Sequence, residues 1–242
     1  MSRSFPGAYL NDWHIHPRAQ FVYGVSGIME MRTRSGLWVL SPLRALWVPA
    51  GVEHQMRSHG PIDMRTLFIQ QDSDNFGNLP RIECVVPVSS LLKELIIRAT
   101  ELPIEYDETG PEGKIMDLIL SEIHWTPGGS LYLPAFKDAR LQRLEKCIKA
   151  DLSDNRNLDE WADQLHISGK TLSRLIFKET GTSFLNWKQS LRIHNALLRL
   201  ASGERITSVA LDVGYATPSA FTRMFKKVMG VVPSEYFENH HD

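Results

Sequence analysis

One sequence unit occurs twice in the C-terminal half of this chain, and this repeat constrains the fold more than any other feature. Residues 158–181 read LDEWADQLHISGKTLSRLIFKETG, and residues 206–230 read ITSVALDVGYATPSAFTRMFKKVMG. The matched pairs are Ala162 with Ala210, Leu165 with Val213, Ile167 with Tyr215, Arg174 with Arg223 and Gly181 with Gly230. One residue is inserted in the second copy before the arginine. The match predicts two copies of one structural unit.

Each copy has the residue pattern of a helix-turn-helix. A short helix with a small residue at its middle, Ala162 or Ala210, precedes a tight turn. The second helix then opens at Ser168 or at Thr217-Pro218, where a hydroxyl can cap the first turn and a proline fits it. Two helix-turn-helix units are therefore predicted. The alternative is an ordinary helical bundle with a fortuitous repeat, which two matched copies make less attractive.

The second helix of each copy has an apolar face and a polar face. Leu172 and Ile176 in the first copy, and Phe221 and Phe225 in the second, recur at helical spacing and predict the buried side. Between the copies, residues 183–203 read SFLNWKQSLRIHNALLRLASG. This periodic apolar stretch predicts a long helix that holds the two units at a fixed separation.

The N-terminal half has a different pattern. Between residues 20 and 70 there are short apolar or alternating runs, including QFVYGV, LWVL and RALWVP, with turn residues such as SG, SP and HGP between them. Such runs predict a small β-barrel or sandwich. Residues 89–103 and 112–125 then repeat Leu and Ile at helical steps and predict two amphipathic helices. These helices could either bind a partner or cap the barrel, and their periodicity fits both.

Charge and composition place few limits on function. Before Phe136 there are 11 basic and 15 acidic residues, and after it 16 basic and 13 acidic, so the second half is the better match for a polyanion. Cys84 and Cys147 have no metal-ligand spacing, so buried free thiols are expected. We expect no membrane span and no secretion signal, hence a cytoplasmic protein. Residues 126–134, TPGGSLYLP, are the predicted linker.

From Leu141 to Phe237 the chain resembles the AraC/XylS family of bacterial transcription regulators. The most specific stretch is VGYATPSAFTRMFKKVMGVVPSEY. It is similar to the family's C-terminal signature at Gly214, Tyr215, Ser219, Phe221, Arg223, Phe225, Lys226, Gly230, Pro233, Ser234 and Tyr236. The first copy departs from the family, which usually has phenylalanine and then lysine where this chain has Ile176 and Phe177. The first unit therefore lacks one lysine expected to contact phosphate.

The resemblance implies that each second helix enters the major groove of promoter DNA, the two helices lying about one helical turn of DNA apart. Arginines on the outer faces can make bidentate bonds to guanine, and shorter polar side chains can reach other base edges. Candidates for base contacts are Lys170, Thr171, Ser173, Arg174, Pro218, Ser219, Thr222 and Arg223. Candidates for phosphate contacts are Lys178, Lys226 and Lys227, and Lys170 could also act in this way.

Two stretches of the first half are similar to the two cupin motifs. HIHPRAQ spans His14 to Gln20 and is followed after six residues by Gly27, and PAGVEH ends at His54. The resemblance implies that His14, His16, Gln20 and His54 converge in the mouth of a barrel. Gln20 occupies the position at which metal-binding cupins usually have glutamate.

Three interpretations of these four side chains remain open. The first is a metal-free pocket for a small-molecule effector, because the barrel of similar regulators commonly binds one. The second is a divalent transition metal, for which three imidazoles and one oxygen are a reasonable ligand set, although no ligand in the set is an anion. The third is that the side chains simply pack the core.

Together these features predict an α+β protein, with a cupin-like jelly-roll β-barrel followed by an all-α domain that contains two helix-turn-helix motifs. The predicted domains are an effector-sensing barrel (1–75), a helical dimerisation or linker segment (76–136) and a DNA-binding domain (137–242). The expected function is non-enzymatic, effector-modulated regulation of a promoter by a homodimer that could also contact RNA polymerase. The alternative is a cupin metalloenzyme, a dioxygenase or isomerase, with an accessory helical domain.

Overall fold

A computed structural model of the chain describes residues 1–42, 44–70, 79–125 and 132–238. Contacts divide the chain into two compact units. The first comprises 1–34 and 38–129, and the second comprises 130–242 together with Ser35–Leu37. The predicted linker lies largely outside the described residues, since only 132–134 are described, and these form a short strand rather than coil. The three predicted domain boundaries remain predictions.

The first unit is a two-sheet antiparallel barrel with two helices. Its strands are β1 (Ser2–Phe5), β2 (Leu10–His14), β3 (Ala19–Ser26), β4 (Met29–Thr33), β5 (Gly36–Leu40), β6 (Arg44–Val48), β7 (His54–Ser58), β8 (Ile62–Ile69) and β9 (Cys84–Pro87). One sheet has the order β1-β8-β3-β6-β9, and the other contains β5-β4-β7-β2. The helices are α1 (Ser90–Ala99) and α2 (Pro111–Glu122). The predicted β-barrel is confirmed.

The two faces of β3 pack against different partners. Phe21 and Tyr23 belong to an apolar core that also contains Trp47 of β6, Ile96 of α1 and Ile119 of α2. The two helices therefore cap the outer face of this sheet, as one of the two sequence interpretations expected. Because side chains alternate along a strand, the residues between these core positions face the barrel interior.

Strand β9 lies within the segment expected to be helical. It is only four residues long and pairs with β6, where Trp47 lies opposite Cys84. A short run of this kind is a strand because β6 offers an open edge next to it. Cys84 is buried and Cys147 is half-buried, and both thiols are free.

The second unit begins with β10 (Tyr132–Pro134) and is helical thereafter. Its helices are α3 (Ala139–Ala150), α4 (Leu158–Gln164), α5 (Gly169–Thr180), α6 (Phe184–Ala201), α7 (Ile206–Asp212), α8 (Pro218–Met229) and α9 (Pro233–Glu238). Both predicted helix-turn-helix units are present, as α4-α5 and α7-α8. The predicted α+β architecture is confirmed. Within the described residues, no helix is long and apolar enough to cross a membrane.

The same hydrogen bonds close the turn in both copies of the repeat. Ile167 N donates to Ala162 O at 3.0 Å, and the matching Tyr215 N donates to Ala210 O at 3.0 Å. Ser168 caps α5 and Thr217 caps α8, each through a bond from a backbone N–H to its hydroxyl. Both matched alanines are fully buried. The sequence repeat is thus a repeat of structure.

Each of the two turns contains one residue with a positive φ, in the left-handed region, but the residue type differs between the copies. Gly214 has a φ of +87°, and the residue at the matching position of the first copy, His166, has a φ of +55°. A side chain at positive φ places its Cβ close to the backbone carbonyl, so His166 is the less favourable of the two. His166 is exposed, and its side chain therefore contributes little packing to offset this strain.

We predict that His166→Gly stabilises the second unit by about 0.5–1 kcal/mol, because glycine adopts positive φ without the Cβ contact. Urea unfolding followed by circular dichroism at the helical band measures the change. His166→Ala is the matched control, since it removes the imidazole but keeps a Cβ. Equal stability of the glycine and alanine variants would contradict the prediction.

Candidate functional sites

The outer faces of α5 and α8 carry most of the side chains predicted to contact DNA. Lys170, Ser173 and Arg174 are exposed on α5, and Ser219 and Arg223 are exposed on α8. Lys178, Lys226 and Lys227, the phosphate candidates, are also exposed. Thr171, Pro218 and Thr222 are half-buried. These two helices therefore present matching polar faces, each anchored by a buried apolar side.

Two of these candidates also have structural roles. The hydroxyl of Thr171 lies 2.9 Å from that of Ser168, within the N-terminal cap of α5. Pro218 is the first residue of α8, where a proline needs no hydrogen-bond partner for its nitrogen. By contrast, among the described residues Arg174 and Arg223 have no ion-pair partner, so both guanidinium groups are available for a ligand.

Three histidines converge at one end of the barrel. His14 at the end of β2 lies directly opposite His54 at the start of β7, and their ring centroids are 4.3 Å apart. His16, just beyond β2, lies 4.9 Å from His14 and 5.3 Å from His54 between ring centroids. One ligand nitrogen from each ring lies within 4.8 Å of the others. The structure thus brings together three of the four predicted pocket residues.

A turn between β6 and β7 holds this cluster in place. Gly51, with a φ of +77°, allows the chain to reverse after Pro49, and its N–H donates to His16 O at 3.0 Å. His54 Nδ1 lies 2.8 Å from Val52 O and donates to it. The proton is therefore on Nδ1, and His54 Nε2 keeps its lone pair.

The local environment favours the uncharged form of His16 and His54. Burial lowers the pKa of His54 to about 4, against the opposing effect of the bond to Val52, and the neighbouring His14 and His16 lower it further. Burial, and then the nearby His14, also lower the pKa of His16. His14 Nδ1 lies 2.6 Å from Asp12 O and donates to it, and His14 Nε2 accepts a bond of 3.3 Å from the Asn11 side-chain amide. Neutral histidines with fixed tautomers are the form that binds metals or accepts hydrogen bonds.

Gln20 lies on the interior face of the barrel. It occupies β3 opposite Phe68 of β8, whose ring contacts His16 with centroids 4.9 Å apart. Gln20 Oε1, Thr66 Oγ1 and His54 Nε2 are buried and have no hydrogen-bond partner within the part of the chain that the structure describes. Buried polar atoms are rarely left unpaired, so these three atoms are candidates for hydrogen bonds to a bound polar molecule.

The first unit also contains a cavity of about 1020 Å³, and none of His14, His16, Gln20 and His54 lines it. Phe68 lines the cavity and also contacts His16, so this residue connects the cavity with the histidine cluster. Tyr106, Met116 and Leu120 line it as well. A cavity of this size can hold a drug-sized molecule.

Sequence reasoning missed two contributors to these sites. Thr66 was not identified, because a single threonine in an alternating strand carries no signal of its own. The cavity beside Phe68 was missed too, since its walls come from β8 and from α2, which are far apart in the sequence. Only the alternation along β8 could have suggested that Thr66 and Phe68 share a face.

Two family models match the chain, a helix-turn-helix domain at residues 161–239 and a cupin domain at residues 5–70. The HTH-type transcriptional regulator NimR of Escherichia coli K12 is 28% identical over 223 residues, covering 92% of this chain and 81% of that protein. The arabinose operon regulatory protein of Escherichia coli K12 is 27% identical over 234 residues, covering 96% and 70%.

A solved structure of ToxT from Vibrio cholerae aligns over 100% of this chain and 99% of that chain, with 15% identity and a TM-score of 0.44. The family models match a cupin domain and, after it, a helix-turn-helix domain, and NimR and the arabinose regulator cover both regions. The chain is therefore a DNA-binding transcription regulator with an N-terminal cupin domain, and it is similar to the AraC/XylS regulators that its sequence motifs resemble.

Proposed function

We propose that α5 and α8 are two recognition helices that read one promoter together. The observation that carries this proposal is the pair of matched, exposed arginines, Arg174 and Arg223, on helices closed by the same turn. Guanidinium groups in such positions suit bidentate bonds to guanine in the major groove. Two helices joined by one long helix suit two groove segments about one turn of DNA apart.

Within this interface the exposed residues divide by chemistry. The exposed side chains proposed to contact base edges are Lys170, Ser173, Arg174, Ser219 and Arg223. Thr171, Pro218 and Thr222 are half-buried and are proposed to contact bases at the edge of the interface. Phosphate contact is assigned to Lys178, Lys226 and Lys227. A flexible ammonium group meets phosphate as a point charge, and this contact carries no sequence information.

We predict that Arg223→Ala weakens specific binding by about 1–3 kcal/mol and relaxes base preference at one position. Lys226→Ala is the matched control on the same helix and should weaken binding to all sequences alike, because it removes a phosphate contact. Selection of binding sites from a random DNA library, run on both variants, measures the two effects. A uniform loss for both variants would rule out base reading by Arg223.

Phe177 provides a second test, since it occupies the position of α5 that Lys226 occupies in α8 and is 64% exposed. We predict that Phe177→Lys strengthens binding and steepens the dependence of log affinity on log salt by about 0.9, because one more phosphate is neutralised. Fluorescence anisotropy between low and moderate salt measures the slope. Phe177→Gln is the uncharged control, and an equal slope for both variants would argue against a phosphate beside this position.

In the barrel we propose an effector site formed by His14, His16, Gln20 and His54. Neutral imidazoles and unpaired buried acceptors support hydrogen bonding to a small molecule whose apolar part extends past Phe68 into the cavity that this residue lines. A divalent transition metal is the second occupant we consider. The three histidines fit such an ion, which would act as a Lewis acid toward an effector, while Gln20 would add a neutral oxygen.

We predict that replacing both His16 and His54 by alanine removes the response to the effector and leaves DNA binding nearly unchanged, because these side chains belong to the first unit. DNA affinity with and without a panel of metabolites and metals measures the response, and thermal shift first identifies a ligand of the parent. His124→Ala, an exposed histidine outside the cluster, is the control.

Elemental analysis of protein purified without chelator decides between the two occupants. Near-stoichiometric nickel, zinc, iron or manganese that the double variant loses would favour the metal. A metal-free protein whose double variant still responds to the effector as the parent does would remove the pocket assignment.

The remaining assignments follow from promoter binding. Bacterial promoter DNA lies in the cytoplasm, so we place the protein there and propose contact with RNA polymerase at the promoter. We also propose a homodimer through α1 and α2, whose Leu91 and Leu118 are 51% and 42% exposed. We propose no catalytic activity. The alternative of a cupin metalloenzyme would explain the three histidines but would not explain the two helix-turn-helix units.

A further inference from the structure

Two basic side chains of α6, Lys188 and Arg192, point into the second unit and form hydrogen bonds there rather than facing solvent. Lys188 is only 5% exposed, and its Nζ donates to Asp154 O at 2.7 Å and to Arg156 O at 3.3 Å. Arg192 is half-buried, and its Nε donates to Leu152 O at 2.9 Å. Both side chains thus hold the backbone of the loop between α3 and α4.

A second contact from Arg192 reaches the same loop. Its Nη2 donates to Asp154 O at 3.2 Å and to Asn155 Oδ1 at 3.0 Å. Burial lowers the pKa of Lys188 and of Arg192, so holding these charges here has a cost. The hydrogen bonds to backbone carbonyls offset that cost. An apolar side chain at either position could be buried without such a cost, so the two buried charges indicate a particular structural role.

The loop leads directly into α4, the first helix of the first helix-turn-helix unit. The guanidinium of Arg156 lies 3.8 Å from the ring centre of Trp161, which is buried in α4. Helix α4 packs against α5, so the position of the loop sets the position of the first helix-turn-helix unit.

Arg192 also touches the turn of the second helix-turn-helix unit. A Cβ at Gly214 would lie 2.4 Å from Arg192 Nη2 and 2.6 Å from Leu152 O, so only glycine allows this approach. The guanidinium carbon lies 5.8 Å from the ring centre of Tyr215, and that ring packs edge-on against Phe221 of α8 at 5.5 Å. The Arg192 side chain therefore contacts both the loop that precedes the first helix-turn-helix unit and the turn of the second.

We propose that Arg192 is a positioning residue that sets the separation and relative rotation of the two recognition helices. The proposal rests on the assignment of α5 and α8 as helices that read one promoter together. Two linked modules gain affinity only when their geometry allows both to bind at once. Loss of Arg192 should therefore affect composite sites much more than single half-sites.

The test uses the full chain and DNA whose two half-sites are defined by selection with the parent protein. Spacers between the half-sites are lengthened or shortened by one and two base pairs. For Arg192→Met, which keeps the alkyl stem, we expect binding at the selected spacing to fall about tenfold while single half-sites change by less than about twofold. The preference for one spacing should flatten.

Two further variants separate positioning from charge and from folding. Lys149→Ala removes an exposed cation paired with Glu145 on α3 and should leave the spacing preference unchanged. Arg192→Lys keeps the charge but cannot reach the loop and the turn together, so it should also flatten the preference. Thermal unfolding shows which variants are folded at the assay temperature. If Arg192→Met is unfolded there, the spacing preference of Arg192→Lys provides the test.

Three results would overturn the positioning role. These are an unchanged spacing preference in the folded Arg192 variants, an equal loss on single and composite sites, and full recovery of the preference by Arg192→Lys. Failure of the parent itself to select a two-part site would instead contradict the assignment of the two recognition helices.

Discussion

Burial of helix α6 is the constraint on which the DNA-binding unit depends. Trp187, Leu191, Ile193, Ala196 and Leu197 are all buried, and the helix packs against α5 as well as against α7 and α8. Each fully buried large apolar side chain contributes about 1.5–3 kcal/mol, so the helix cannot shift without a substantial cost. The packing of α6 therefore links α5 and α8 through one buried helix.

The buried charges of the second unit and several buried neutral groups of the barrel differ in their hydrogen bonding. In the second unit, Lys188 and Arg192 bury charge but direct it at backbone carbonyls, so the groups are satisfied within the chain. In the barrel, Gln20 Oε1, Thr66 Oγ1 and His54 Nε2 are buried and, among the described residues, unpaired. An unpaired buried group costs about 1–3 kcal/mol, which a bound ligand can recover. Trp161 Nε1 and Tyr215 Oη in the second unit are likewise buried and, among the described residues, without a hydrogen-bond partner, so an unpaired atom by itself does not identify a ligand site.

Strand β7 explains why the barrel was only partly predicted. Its sequence, HQMRS, is polar, yet His54, Met56 and Ser58 are buried because they face the interior. Hydrophobic alternation cannot identify a strand whose inward residues are polar. Strands β3, β5 and β6 were predicted because they are strongly apolar, with every residue of β5 buried. His14 and His54 of the candidate site lie on the polar strands β2 and β7, so hydrophobic alternation alone could not locate them.

The helix-turn-helix units were determined by the sequence itself. Their hydrogen bonds join residues four or five positions apart, and their caps lie next to the helices that they end, so local pattern was sufficient. Tertiary structure decided what depends on distant residues. The antiparallel register of β2 and β7 places His14 opposite His54, and the packing of α6 places Arg192 against both Leu152 and Gly214. No local period encodes such contacts, because they exist only once the sheets and helices have packed.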